Sequence, residues 1–252
     1  MTPRAIDQSV ALVTGGGGGI GSAICRRLAA DGMVVLVGYH SSAERAEALV
    51  AELAGVGHSA VQLTVGDSDA LDALAASIET EHGRLDVLVN CAGVTQPVAH
   101  DDLDGLTDDV IDQIFATNWR GPFATIRAVR TLLEKADDPV IVNISSVAGV
   151  TGMGSNVAYC ASKAALDSMT RSLGRALAPA IRVMSVSPGW VLGEYAARMP
   201  EDVIDVQRDA TPLGRLATGD DVAAAVSAVV NDLPFTTGAI VTVDGGRPLG
   251  VA

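Results

Sequence analysis

Aromatic side chains are scarce in this 252-residue chain: three Phe, three Tyr and two Trp, or 3%. Its 48% apolar content is therefore largely aliphatic, and at this length a single domain can bury a sizeable core. Cysteine is rare as well. Cys25, Cys91 and Cys160 are odd in number and lack metal-like spacing. That excludes a disulfide framework and reads as reduced thiols of a cytoplasmic protein. Four histidines (His40, His58, His82 and His100) form no ligand cluster, so no metal is expected. Basic residues are outnumbered, 17 against 30 acidic ones, for a net charge of −13. This balance argues against nucleic acid or an anionic membrane surface as partner. No apolar run approaches the roughly 20 residues that span a bilayer, and no basic-then-apolar leader opens the chain. Internal repeats and low-complexity linkers are also missing.

What is present is an alternation of short apolar runs and Ala-rich stretches. Strands are expected at 10–13, 33–38, 60–65, 86–89, 139–144, 181–186 and 239–243. Helices are expected at 20–31, 42–55, 69–82, 107–134, 157–178 and 219–231. Continuous Val/Ile/Leu strands are buried on both faces. Alternating with helices, they imply a doubly wound α/β fold, with a mostly parallel seven-stranded, Rossmann-like sheet in one domain over 1–252. The irregular zone 189–213 mixes Trp190, Tyr195, Met199 and Pro200 with charges, and reads as a substrate lid or an ordinary surface loop.

Two patterns carry chemistry. Val10-Ala-Leu-Val13 is followed at once by Thr14-Gly-Gly-Gly-Gly-Gly-Ile-Gly21 and then by helical patterning with Ile24 and Leu28 four apart. Strand, Gly-rich turn and helix form the context that cradles a dinucleotide: glycines let the backbone approach the pyrophosphate, and the helix N-terminus offers N–H groups and a positive dipole end. The second pattern is Tyr159-Cys-Ala-Ser-Lys163, with Ser146 thirteen residues upstream of the Tyr. Helix positions i and i+4 share a face. An ammonium there favours the phenolate, so the pair suits reversible protonation of an oxygen. Ser146 can hold a carbonyl oxygen beside that phenol.

In this order the motifs resemble the short-chain dehydrogenase/reductase family in its single-domain form, and the resemblance covers essentially the whole chain. Thr14, Gly15, Gly19, Ile20 and Gly21 match its cofactor turn. Asn90-Cys-Ala-Gly93 is similar to its Asn-Asn-Ala-Gly segment, with Cys91 in place of the second Asn, and implies cofactor contact near Asn90, Ala92 and Gly93. Asn118, Ser146, Tyr159 and Lys163 match the catalytic tetrad. Ser187-Pro-Gly189 matches the nicotinamide-side loop, adding Pro188, Gly189 and Val191 to the expected cofactor site. Thr237-Gly238 and Val243-Asp-Gly-Gly246 match the last strand and its turn, which reads as structural. Three positions depart: Gly193 stands where the family has Thr, Thr64 (followed by Val65) stands at its adenine-contacting Asp, and Gly18 stands where NADP users often carry Arg.

The resemblance implies an NAD(P)-dependent oxidoreductase. It would act on a secondary alcohol or ketone, the 3-oxoacyl-carrier-protein reductase group being the most similar, with sugar, polyol and steroid dehydrogenases as alternatives. Tyr159 is expected to exchange the proton, Ser146 to bond the substrate oxygen, Lys163 to lower the Tyr159 pKa and contact the nicotinamide ribose, and Asn118 to anchor a water linked to Lys163. Helices 107–134 and 157–178 imply pairing in a homotetramer. A regulatory nucleotide-binding protein is the rival from another class, but it would not need the Asn, Ser, Tyr, Lys set. Tyr39, where NAD-preferring relatives carry Asp, removes the repulsion of a 2′-phosphate. His40, Ser41 and Ser42 follow with groups able to meet that phosphate, though Ser41-Ser42 also reads as a helix N-cap. The balance favours NADP over NAD.

Overall fold

β1 (Val10–Thr14) is a five-residue run buried at every position. A strand apolar on both faces must sit mid-sheet between two layers, and it does. In the computed structural model, which describes residues 9–193 and 196–247, β1 lies between β2 (Val34–Tyr39) and β4 (Val87–Asn90). The other strands are β3 (Ser59–Gln62), β5 (Val140–Ile144), β6 (Arg182–Pro188) and β7 (Ile240–Val243). The strand order is β3-β2-β1-β4-β5-β6-β7 and every pairing is parallel.

Successive side chains leave a strand on opposite faces. Ala11 and Val13 join a cluster with Ile24, Leu28, Val222 and Val226, while Val10 and Leu12 join one with Leu71, Ile78, Val129 and Leu166. Helices α1 (Gly19–Ala30), α2 (Ala43–Glu52) and α9 (Gly219–Asn231) supply the first layer. The second comes from α3 (Ser68–His82), α5 (Gly121–Leu133) and α7 (Val157–Ala176). Shorter helices are α4 (Asp108–Phe115), α6 (Ala148–Thr151) and α8 (Glu201–Asp209). No described helix is long and apolar enough to cross a membrane.

The expected helix 107–134 is broken. A π-helical turn, Ala116–Arg120, separates α4 from α5, and the Gly121 N–H donates to the Ala116 carbonyl. Pro122 is the cause: it has no N–H for the Asn118 carbonyl four residues earlier, so the ladder slips by one residue. β3 ends at Gln62 instead of 65, which turns Thr64 and Val65 into loop residues. The expected lid zone contains an isolated bridge from Val191 to Ala217, a 3₁₀ turn (Ala196–Arg198) and α8. Tyr195 lies outside the described residues, as do the two ends of the expected 1–252 domain.

Candidate active site

The strand order reverses at β1: the chain runs outward to β3, then crosses back to β4. Ligands of doubly wound sheets sit beyond the carboxyl ends of the strands at this switch. Here a cavity of about 1700 Å³ opens there. Its wall includes Gly15, Gly18, Gly19, Ile20 and Gly21 from the first turn, Tyr39 and His40 after β2, and Thr64 and Val65 after β3. Beyond β4 come Ala92 and Gly93, and from β5 and α7 Ser146, Tyr159 and Lys163. Pro188, Gly189, Val191 and Gly193 complete the wall past β6.

The Gly-rich turn is built for close approach. Gly15 has φ of +66°, and a side chain there would strike Ala92 at 2.9 Å. A Cβ on Gly21 would lie 2.2 Å from the Gly15 carbonyl oxygen, so only glycine lets α1 start this close to the turn. A Cβ on Gly19 would meet nothing within 4 Å, the mark of a backbone surface that faces the cavity. The first-turn N–H groups of α1 precede the helix's own ladder and point at that surface. These residues fit a dinucleotide pyrophosphate.

Thr14 and Asn90, expected to touch cofactor, are buried in the frame behind the cavity wall, as is Asn118, expected to anchor a water. Thr14 Oγ1 accepts from the N–H groups of Cys91 and Ala92, each at 3.1 Å, and so ties the ends of β1 and β4 together. Asn90 Nδ2 donates to Asn143 Oδ1 at 2.9 Å, leaving Asn90 Oδ1 with no partner among the described residues. Asn118 accepts from Val94 N–H (2.8 Å) and donates to the Val94 carbonyl (3.0 Å) and Ser162 Oγ (3.1 Å). Ser41 and Ser42 are exposed and absent from the cavity wall. Ser42 occupies the N-cap position of α2, yet its side chain makes no cap bond, so that reading fails in its detail.

Of the catalytic candidates, Ser146, Tyr159 and Lys163 share the cavity wall. Asn156 caps α7 by accepting from the Tyr159 N–H at 2.6 Å, while its Nδ2 donates to the Gln96 carbonyl at 2.7 Å. Tyr159 thus sits in a pinned first turn. One turn on, Lys163 Nζ lies 5.7 Å from the Tyr159 ring centroid and donates to the Ile144 carbonyl at 2.9 Å. Burial pushes the Lys163 ammonium down to about 8, opposed by Cys91 and Asp167. Ser146, at the end of β5, accepts from the Ala148 N–H at 3.2 Å and faces the cavity.

Behind these groups runs a buried polar row. Register pairs Thr14 with Asn90, Asn90 with Asn143, and Asn143 with Ser185 across four strands. α7 is stitched to it: Asn143 Nδ2 donates to Thr170 Oγ1 (2.9 Å) and Ser185 Oγ to Asp167 Oδ1 (3.0 Å). Burial raises the pKa of Asp167, against the bond from Ser185. Sequence reasoning missed this layer, and it missed Arg120, Gln207 and Arg247 on the cavity wall. Only Pro122 carried a visible signal, for the π turn.

A switch-point cradle beside a paired phenol and ammonium defines an oxidoreductase of the dinucleotide-binding class, and comparison with known proteins agrees. A family model described as Enoyl-(Acyl carrier protein) reductase matches residues 15–247. A Streptomyces violaceoruber protein described as ketoacyl reductase 2 of the granaticin polyketide synthase is 36% identical over 99% of this chain and 100% of its own. The 3-oxoacyl-[acyl-carrier-protein] reductase FabG of Staphylococcus aureus is 35% identical over 94% of this chain and 96% of its own. A solved Brucella melitensis structure, described as a short-chain dehydrogenase/reductase of the glucose/ribitol dehydrogenase type, superposes with a TM-score of 0.90 at 27% identity over 100% of both chains. The chain belongs to the short-chain dehydrogenase/reductase family, whose members use NAD(P).

Proposed function

We propose that the protein interconverts a ketone and a secondary alcohol with NADP, and that the ketone is a 3-oxoacyl compound, as the names of its ketoacyl reductase relatives suggest. The observation that carries this is the Tyr159–Lys163 pair facing the same cavity as the Gly-rich turn. When bound, the nicotinamide supplies or accepts the hydride. Tyr159 gives its phenolic proton to the carbonyl oxygen in reduction and takes it back in oxidation. Ser146 holds that oxygen in place. Lys163, held by the Ile144 carbonyl, favours the phenolate and reaches the nicotinamide ribose. Asn118 anchors a water through its backbone carbonyl, the group left by Pro122 without its usual donor, since its side chain is spent on Val94 and Ser162. Tyr159→Phe should lower turnover at least about 10²-fold while sparing cofactor binding. Near-wild-type turnover on a verified substrate defeats the mechanism.

NADP is favoured because the end of β2 offers Tyr39 and His40 and no carboxylate to repel a 2′-phosphate. The wall's carboxylates, Asp67 and Asp69, belong to the start of α3 past β3, where Asp67 accepts from Ala70 N–H at 3.1 Å. With Ser41 and Ser42 off the wall, His40 is the phosphate partner. Titration of both oxidised cofactors decides: NADP should bind more tightly, and tighter NAD binding reverses the assignment. Residues 189–213 act as the substrate lid, Trp190, Leu192 and Gln207 standing on the cavity wall. A sugar or polyol substrate is the second reading, favoured by the likeness to the Brucella structure. The protein works in the cytoplasm as a homotetramer. Trp119 and Phe123 stack at 6.0 Å and remain 37% and 39% exposed, flanking a groove against Met169 and Leu173 of α7 that a second copy would cover. Sedimentation should give a tetramer, and a monomer near 26 kDa refutes it.

A further inference from the structure

The Asp244-Gly-Gly246 turn after β7 has a consequence in the cavity. Gly245 and Gly246 both take positive φ, +67° and +79°, which two residues with side chains would rarely adopt in succession. Gly245 packs where a Cβ would lie 2.6 Å from Thr211 Cγ2, and its carbonyl accepts from Leu213 N–H at 3.1 Å. Asp244 Oδ1 accepts from Gly246 N–H at 2.9 Å and fixes the turn. The chain is thereby folded back towards α8, and the next residue, Arg247, reaches the cavity wall and donates from Nη1 to Gln207 Oε1.

This guanidinium is placed unlike the other arginines that face carboxylates. Acids outnumber bases 30 to 17, and Arg26, Arg27, Arg84, Arg130, Arg182, Arg208 and Arg215 each form an ion pair. Arg247 has no carboxylate partner among the described residues; its side chain bonds only a neutral amide. Arginine is donor-only, so the Gln207 atom facing it is the oxygen, and the Gln207 NH₂ is left to donate. Both half-buried side chains stand on the cavity wall, where the Arg247 guanidinium and the Gln207 NH₂ are donor-only groups. That set matches a planar anion such as a carboxylate, which guanidinium and amide donors bind side by side. The site lies past β7, at one edge of the sheet and five strands from β2, which ends at Tyr39 just before His40, so the 2′-phosphate is not its ligand.

We infer that Arg247 and Gln207 form an anion subsite that selects ketones bearing a free carboxylate. The inference rests on the cavity being the reduction site, as proposed above. The test compares kcat/KM for 3-oxohexanoate and its ethyl ester with NADPH. Arg247→Ala should lower the acid-to-ester ratio at least tenfold, mainly through KM of the acid, with Arg247→Lys in between. An unchanged ratio overturns the subsite, and so does a weaker NADP Kd, which would mark Arg247 as a cofactor contact. Calorimetric titration of both compounds into wild-type protein saturated with oxidised NADP, where a ketone cannot be reduced, separates the two claims. If neither compound is turned over, the hydride-transfer reading fails for 3-oxoacyl substrates. The titration still decides the subsite: tighter binding of the acid, lost in Arg247→Ala, upholds it, and equal binding of acid and ester refutes it.

Discussion

Replacing Lys163 by Met should abolish turnover and yet stabilise the cofactor-free protein at neutral pH. Lys163 is 6% exposed, and burial moves its pKa from 10.5 to about 8. Holding the proton inside the fold at pH 7 therefore costs about 3 kcal/mol relative to the unfolded chain. Met keeps an unbranched apolar stem and removes that cost. It also removes the 2.9 Å bond to the Ile144 carbonyl, a loss of about 2 kcal/mol once the orphaned acceptor is counted. The expected net gain is about 1 kcal/mol at pH 7. The dependence on pH is a sharper test than the net value, because packing differences cancel from it. Between pH 8 and 10.5 the unfolded chain holds the lysine proton and the folded one does not, so wild-type stability rises with pH through this window. From pH 7 to pH 9 the wild type should gain about 1 kcal/mol on Lys163→Met, which closes the gap between them. Urea denaturation of both proteins at equal concentration and at both pH values measures this. A gap that stays constant, or that widens in favour of Lys163→Met as pH rises, refutes the account of a buried, proton-shedding lysine.

Gly21→Ala puts a Cβ 2.2 Å from the Gly15 carbonyl oxygen. It should weaken NADP binding by more than tenfold, measured by fluorescence titration on protein whose melting curve shows a folded state; affinity within twofold of wild type rejects the close-approach argument. Asn156→Ala strips the α7 cap and leaves the Gln96 carbonyl unbonded. It should cost about 2 kcal/mol in denaturation and lower kcat more than the cofactor Kd, because Tyr159 sits in the freed turn.

Much of the fold was legible because hydrophobic patterning dominates it. The expected strands overlap β1 to β7, and most ends fall within one or two residues, since runs such as Val140–Ile144 are buried at every position and bounded by polar loops. The Tyr159–Lys163 pair and the Gly15–Gly21 turn were legible because their spacing is local and survives any tertiary context. Ser41 and Ser42 were placed by adjacency to Tyr39, but the cavity wall reaches His40 and includes neither serine. The helix over 107–134 was drawn from apolar content alone, although Pro122 lacks the donor that a continuous ladder requires.

The polar row was hidden for a different reason. Thr14, Asn90, Asn143 and Ser185 are scattered along the chain, and only the parallel register brings them into one line. Read singly, each is a polar residue in an apolar strand, with no sign of where its bonds go. Burying them is costly unless they are satisfied, and the chain satisfies them largely through α7: Thr170 meets Asn143, Asp167 meets Ser185, and Ser145 Oγ donates to the Lys163 carbonyl at 3.2 Å. Hydrophobic contact alone would let this helix slide by small amounts with little loss, because apolar packing is not directional. Hydrogen bonds of fixed length do not permit that slide. Tyr159 and Lys163 ride on the same helix, so the bonds that satisfy the row also set where phenol and ammonium stand relative to the Gly-rich turn at the end of β1.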